Sequence, residues 1–276
     1  KDVDVLDLTQ SIAGPVATQF LGSLGANIVK VEPPEGDAFR DQLGGAMFAS
    51  VNISGKRSVC LDLKTDEGQQ AALELAEEAD VVIESFRPDV LRQFQLDYES
   101  VAETNEDVVY VSVTGFGQDG PYSDWPAYDP VIQAMSGLMS TIGYPDRPPV
   151  RIGASVIDWG TGTTAAFLAA SALHEREVNG EGEHIDVSLF EVTVAWMGYW
   201  IAHYTGTGEV PERAGQGFAG IAPNEIFHAA DDEPFYVCAV NNRLYERLCT
   251  AIDREDLVTD ERYETNEDRW ENRETL

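Results

Sequence analysis

The chain has 276 residues, 43% of them hydrophobic, with 18 basic against 49 acidic side chains and a formal net charge of -31 at pH 7. A surface this acidic repels nucleic acid and anionic membranes, which excludes both as bulk partners. The length and apolar content suffice for one large domain or two unequal ones. The first predicted element is an apolar strand over Val3–Leu8, followed by a loop and a short helix that starts at Pro15 and is closed by Gly25. Ala26–Glu32 and Ser58–Leu63 read as strands, and Thr65 caps a predicted helix over Asp66–Ala79. Asp80–Phe86 and Val108–Gly115 are two further buried strands.

This alternation predicts an α/β fold, a Rossmann-like parallel sheet flanked by helices. Ligands of such sheets sit at the carboxyl ends of the strands, so the loops of interest are Thr9–Gly14, Glu84–Asp89 and Gly115–Asp129. After Tyr204 the texture changes. Thr205–Pro223 is rich in Gly and Pro and reads as a linker or mobile loop. Glu225–Ala230 and Pro234–Val240 then form a predicted hairpin, with a helix over Asn242–Ile252. The expected division is a large domain over residues 1–204, and a linker plus the beginning of a smaller α+β domain over 205–276. Little in that last stretch signals a finished core.

One carboxylate stands out between these regions. The run Gly153-Ala-Ser-Val-Ile-Asp158-Trp-Gly160-Thr-Gly162 reads as a strand delivering Asp158 to a glycine-rich bend, with a helix from Ala165 to Glu177 just beyond. Held beside free backbone N–H groups at a helix N-terminus, Asp158 is expected to stay ionised, as an aspartate nucleophile must. The same position suits a plain helix cap.

Other motifs lead nowhere. Gly115-Phe-Gly117-Gln-Asp-Gly120 matches a dinucleotide fingerprint, but Pro121 to Pro126 cannot open the helix that a pyrophosphate needs. The stretch ending in Gly55-Lys56-Arg57 resembles the end of a phosphate loop, yet Ser50 takes the place of the first glycine and Arg57 that of the hydroxyl residue. Cys60, Cys238 and Cys249 are widely spaced, and His174, His184, His203 and His228 never stand at metal-ligand spacing, so neither a disulfide framework nor a metal site is indicated. With no membrane-length apolar stretch and no signal-peptide pattern, a soluble cytoplasmic protein is expected. The acidic residues are dispersed, and only four basic residues are lysines, which fits a halophilic source whose salt screens self-repulsion. Against that background Lys56, Arg57, Lys64, Arg87 and Arg92 cluster near predicted strand ends, as an anion site for a phosphate-bearing ligand requires.

Taken together the blocks resemble the class III coenzyme A transferases, the family of formyl-CoA transferase and carnitine CoA-transferase. The likeness runs through Val5-Leu-Asp-Leu-Thr9, Ala13-Gly-Pro15, Leu24 to Glu32, Gly55-Lys-Arg-Ser58 and Leu61-Asp-Leu-Lys64. It continues in Glu84-Ser-Phe-Arg-Pro88, Thr114-Gly-Phe-Gly117, Tyr128-Asp-Pro130, Gly153–Gly160, Gly180-Glu-Gly182 and Ile185-Asp-Val-Ser188, so that it covers nearly the whole chain. The resemblance implies that Asp158 is the catalytic aspartate, carrying in turn a mixed anhydride with the acyl group and a thioester with coenzyme A. It implies further that acyl-CoA and a small carboxylic acid are the partners, and that no cofactor is permanently bound. Coenzyme A contacts map onto Ile12, Ala13, Leu61, Asp62, Leu63, Lys64, Ser85, Phe86 and Arg87, with Arg92 added on chemical grounds. Gln10, Tyr128, Asp129 and Gly217 fall where the family lines its substrate site, the last within a glycine loop, Gly215–Gly220, suited to a lid. Backbone N–H groups of the Trp159–Gly162 bend are the expected oxyanion donors.

There are departures. Gln10 stands where some relatives carry histidine, and Pro33 where formyl-CoA transferase has an arginine. The family's members are longer and form interlocked homodimers, so this chain is expected to be a fragment without their C-terminal return segment. Two alternatives remain. An α-methylacyl-CoA racemase would use a histidine where Tyr128 stands, and tyrosine is a poor base near neutral pH. A non-catalytic coenzyme A-binding subunit is the other.

Overall fold

The computed structural model describes residues 3–52 and 55–276, which form two compact units. One comprises Lys1–Ser136 with Gly153–Gly198, the other Gly137–Ile152 with Tyr199–Leu276.

The first unit is built on β1 (Asp4–Leu8), α1 (Ala13–Ser23), β2 (Asn27–Glu32), α2 (Ala46–Asn52), β3 (Lys56–Cys60), α3 (Asp66–Glu77), β4 (Val81–Glu84), α4 (Tyr98–Ala102) and β5 (Val109–Thr114). It is completed by α5 (Asp129–Met135), α6 (Val156–Asn179), β6 (Glu183–Ser188) and α7 (Leu189–Trp196). The sheet order is β3-β2-β1-β4-β5-β6, and every neighbouring pair is parallel. The chain builds outward from β1 to β3, then crosses back to start again at β4, a doubly wound Rossmann-like sheet. Every residue of β4 and β5 is buried, as expected for strands covered on both faces. Leu6, Leu8, Val82 and Tyr110 pack with Ala72 and Ala76 of α3. Asp7, between two of these leucines, must point to the opposite face, where Thr18 of α1 donates to it. β6, a polar edge strand, escaped the periodicity reading.

The largest difference from expectation lies at α6. The run before Asp158 is not a strand, and the helix starts at Val156 instead of Ala165. Its buried residues Ile157, Thr161, Ala165, Ala169 and Ala172 recur every three or four positions, a helical stripe that the intervening glycines disguise. Those glycines form no bend; they serve contact. A Cβ at Gly162 would strike the carbonyl oxygen of Ala13 and lie 2.6 Å from Cβ of Val16, so α6 rests directly on α1. A Cβ at Gly160 would strike the indole of Trp196.

In the second unit, α8 (Gly198–Thr207) runs through the expected boundary at Tyr204, and residues 137–152 group here although they precede that boundary in sequence. β7 (Asn224–His228) and β8 (Pro234–Cys238) pair as the predicted antiparallel hairpin, followed by α9 (Asn242–Ala251) and α10 (Asn266–Glu271). Contrary to expectation, this stretch has a core: Ala239, Tyr245, Cys249 and Tyr263 are buried together. Its centre is a charged residue, which a search for apolar pattern passes over. Arg269 is fully buried, donates to the carbonyl oxygens of Ala222 and Tyr263 and to Oδ1 of Asn242, and stacks its guanidinium over Tyr245.

In an open helix Gly→Ala stabilises by about 1 kcal/mol. Gly162→Ala is expected to reverse that sign and destabilise by about 1–3 kcal/mol, read as a lower urea midpoint at unchanged m-value.

Candidate functional site

The strand order reverses between β1 and β4, and the loops leaving these strands diverge there. Asp7 shapes the first loop. Its carboxylate is fully buried and accepts from the backbone and hydroxyl of Thr9 (2.9 and 2.5 Å), from Thr18 (2.6 Å) and from Lys56 (3.2 Å), with Lys30 3.7 Å away. Burial alone would raise its pKa, but Lys30, Lys56 and the two threonines prevail and hold it at about 2. Lys30 also donates to the carbonyl of Thr9 and Lys56 to that of Pro15, so both ends of the loop into α1 are tied to the same charge. The second loop is tied to the first, because the Gln10 N–H donates to the Ser85 hydroxyl at 2.9 Å.

Two clefts open along these loops. The first, of about 400 Å³, is lined by Gln10, Ala13, Ser85, Arg87, Tyr128 and Asp158, among others. It draws on all three loops expected to face a ligand. The second, of about 540 Å³, is lined by Pro33, Leu61, Asp62, Leu63, Lys64 and Phe94. β3 ends at Cys60 instead of Leu63, which leaves Leu61–Lys64 in the loop at the carboxyl end of the sheet. Gln10 and Phe86 line both clefts.

Asp158 is the third residue of α6, and the geometry of that helix end is unusual. Ser155, at the cap position, offers no side-chain hydrogen bond. Asp129, the first residue of α5, takes its place: its Oδ2 accepts from the N–H of Ile157 at 2.7 Å and of Asp158 at 3.4 Å. These are the two donors that a helix's own cap residue ordinarily satisfies. Gln133, one turn along α5, donates to the other oxygen of Asp129 at 2.5 Å. Asp158 itself accepts no hydrogen bond from any described residue. Burial, and secondarily the charge of Asp129, push its carboxyl up to about 7. The ionised state expected from the helix end alone is therefore opposed by the very group that caps it. The expected oxyanion donors are also displaced, since Trp159–Gly162 lie inside the helix and the Trp159 N–H is bonded to Ser155.

The cations do not form one patch. Lys56 is turned inward on Asp7, and Arg57 lies exposed outside the clefts. Arg92 faces Asp89, Asp97 and Glu99 in a third cleft, which Arg87, His184 and Asp186 also line. That leaves Lys64 in the second cleft and Arg87 in the first, the latter with no ion pair among the described residues. Ile12 is buried against Val16 and Val51 and lines neither cleft. Tyr128 is 62% exposed at the rim, whereas Asp129 is 2% exposed with both oxygens occupied. Gly217 belongs to the second unit. No histidine lines the first cleft, and no described group of His, Cys, Asp or Glu is placed to hold a metal ion. No described helix is long and apolar enough to cross a membrane. Sequence reasoning missed the capping of α6 by Asp129, a contact between residues 28 apart that no local signal announces.

Residues 1–276 match CoA-transferase family III. An acetyl-CoA:oxalate CoA-transferase of Acetobacter aceti is 42% identical over 282 residues, covering 99% of this chain and 71% of the relative. A succinyl-CoA:mesaconate CoA-transferase of Haloarcula hispanica is 37% identical over 289 residues, covering 100% of this chain and 72% of the relative. Among solved structures, a CAIB/BAIF family protein from Brucella suis superposes with a TM-score of 0.86 at 37% identity, covering 99% of this chain and 75% of the other. A Mycobacterium tuberculosis protein gives 0.89 at 31%, with 99% and 72% covered.

Because the folded pKa of Asp158 lies above its ordinary 3.8, the stability it contributes is fully present at low pH and is lost as pH rises through about 7. Asp158→Asn removes that loss. Its melting temperature is expected to exceed that of the parent by a margin that widens from about pH 5 to about pH 8, measured by calorimetry.

Proposed function

The chain belongs to CoA-transferase family III, and we propose that it moves coenzyme A between an acyl-CoA and a carboxylic acid through covalent intermediates on Asp158. The observation that carries this reading is the placement of Asp158. Its carboxylate accepts no hydrogen bond from any described residue and lines a cleft that shares Gln10 and Phe86 with a second one. A long ligand fits this arrangement, with its nucleotide end in the larger cleft and its thioester beside the carboxylate. Val31, Leu61, Leu63 and Phe94 supply apolar surface for a purine, and Lys64 supplies the cation for a phosphate.

The steps follow from this placement. The Asp158 carboxylate attacks the thioester carbonyl; the C–S bond breaks, giving an aspartyl-acyl anhydride and coenzyme A thiolate. The thiolate attacks the aspartyl carbonyl, releasing the donor acid as its carboxylate and leaving a thioester on Asp158. The acceptor carboxylate then attacks that thioester, expelling the thiolate and forming a new anhydride. Thiolate attack on the acceptor's acyl carbon yields the product thioester and regenerates the aspartate. No net proton is transferred, and each step exchanges one activated acyl group for another. A carboxyl near 7 gives a nucleophile that is both ionised in part and more basic than an ordinary aspartate. A racemase needs a pair of proton-transfer groups, and Tyr128 stands at the cleft where its histidine would be.

The relatives' names pair acetyl-CoA or succinyl-CoA with oxalate, mesaconate or citramalate, and succinate with glutarate, so the donors to be tested are acetyl-CoA, succinyl-CoA and the CoA thioesters of other short dicarboxylic acids. Incubation with such a panel, followed by hydroxylamine and peptide mass spectrometry, is expected to place a hydroxamate on Asp158. A folded protein that binds coenzyme A and forms no adduct with any donor overturns the reading. Asp158→Asn is expected to lower turnover by more than about a thousandfold while retaining coenzyme A binding. By calorimetry, Lys64→Ala should raise the coenzyme A Kd about tenfold, and Arg92→Ala by no more than about twofold.

A further inference from the structure

We infer that Asp129 is the positioning residue of the nucleophile: as the N-terminal cap of α6 supplied from α5, it fixes where the Asp158 carboxylate stands in the cleft. This inference rests on the reading of Asp158 as the group that is acylated. Three observations carry it. Asp129 cannot touch substrate, being 2% exposed with both oxygens occupied. It bonds the backbone of Ile157 and Asp158 themselves, so any shift of its carboxylate is passed to the nucleophile's own main chain. And the local alternative is missing, since Ser155 makes no side-chain cap. Gln133, fully buried, holds Asp129 in turn, so the support continues along α5.

The position has a chemical consequence. A carboxylate at the end of α6 occupies the place where backbone N–H groups would otherwise favour a charged Asp158. Few other charges act there. α1 carries no ionisable side chain, the loop after β4 contributes Arg87, the start of α5 contributes Tyr128, and α7 contributes Glu191. At the far side, β6 contributes Glu183, His184 and Asp186. Asp129 is the group bonded at the nucleophile's helix turn. Cap and charge are thus separable, because asparagine caps a helix as well as aspartate does and carries no charge.

The test uses Asp129→Asn and Asp129→Ala in the intact chain, with three readouts: the rate of hydroxylamine-trapped adduct formation against pH, the coenzyme A Kd, and the carboxyl 13C titration of Asp158. Asp129→Asn is expected to keep the cap, leave the Kd within about twofold, and move the rising limb of the acylation profile to lower pH. Asp129→Ala removes the cap as well and is expected to slow acylation about a hundredfold at the same Kd. An unmoved profile in Asp129→Asn, or a loss of coenzyme A affinity as large as the loss of rate, overturns the inference. If Asp129→Ala does not fold, Asp129→Asn decides alone. If the parent protein forms no adduct, the aspartyl reading has failed, and the 13C titration still decides whether Asp129 governs Asp158: no movement in Asp129→Asn counts against it.

Discussion

A single buried carboxylate, Asp7, holds the arrangement on which the site depends. It sits on the strand at the centre of the sheet, beside the point where strand order reverses, and binds two lysines, from β2 and β3, and two threonines from the loop and helix that follow. An isolated charge in that position would be prohibitive, and the cluster persists because almost every lone pair has a donor. Its value is geometric. Breaking one partner would leave the others charged and buried, so the loop from Thr9 to Pro15 has essentially one low-energy course. That course sets the Gln10 contact with Ser85 and the wall that Ala13 contributes to the cleft.

The second constraint is contact between helices. Gly162 removes the side chain that would separate α6 from α1, so the helix bearing Asp158 rests against the helix that begins at the first loop. The carboxylate is therefore referenced to Asp7 on one side, through α1, and to Asp129 on the other, through the cap. Neither reference uses the flexible part of a loop. This is how a carboxylate that accepts no hydrogen bond from any described residue still has a defined place.

Much of this was legible in the sequence, and the failures have physical causes. The central strands are continuous apolar runs bounded by turn residues, so β1, β2, β4 and β5 were readable to within a residue or two. Asp158 was recognisable from its family-like surroundings, but its local structure was misread. Glycine in a run suggests a bend, and only the partner helix reveals that Gly160 and Gly162 make room for Trp196 and α1. The cation group was misjudged because sequence position does not tell inward from outward: Lys56 neutralises Asp7, and Arg92 answers three nearby acids. Arg269 at the heart of the second unit was invisible because it satisfies backbone carbonyls, a role with no periodic signature.

The charge economy of the chain bears directly on how an anionic ligand is received. With a net charge of -31, the surface repels a polyanion over the range that salt leaves unscreened. Most cations near the clefts are already committed to carboxylates, and the second cleft sets Lys64 against Glu35, Asp37, Asp41 and Asp62. On the proposed reading, affinity for a phosphate-bearing ligand in this cleft comes chiefly from apolar contact and shape, with Lys64 correcting the sign of the potential locally. On that reading such binding is expected to strengthen as ionic strength rises, the reverse of the usual behaviour of phosphate sites, because salt screens the repulsion more than it screens one close contact. The same screening relieves the repulsion among the dispersed carboxylates, so the proposed ligand capture and folding are expected to respond to salt in the same direction.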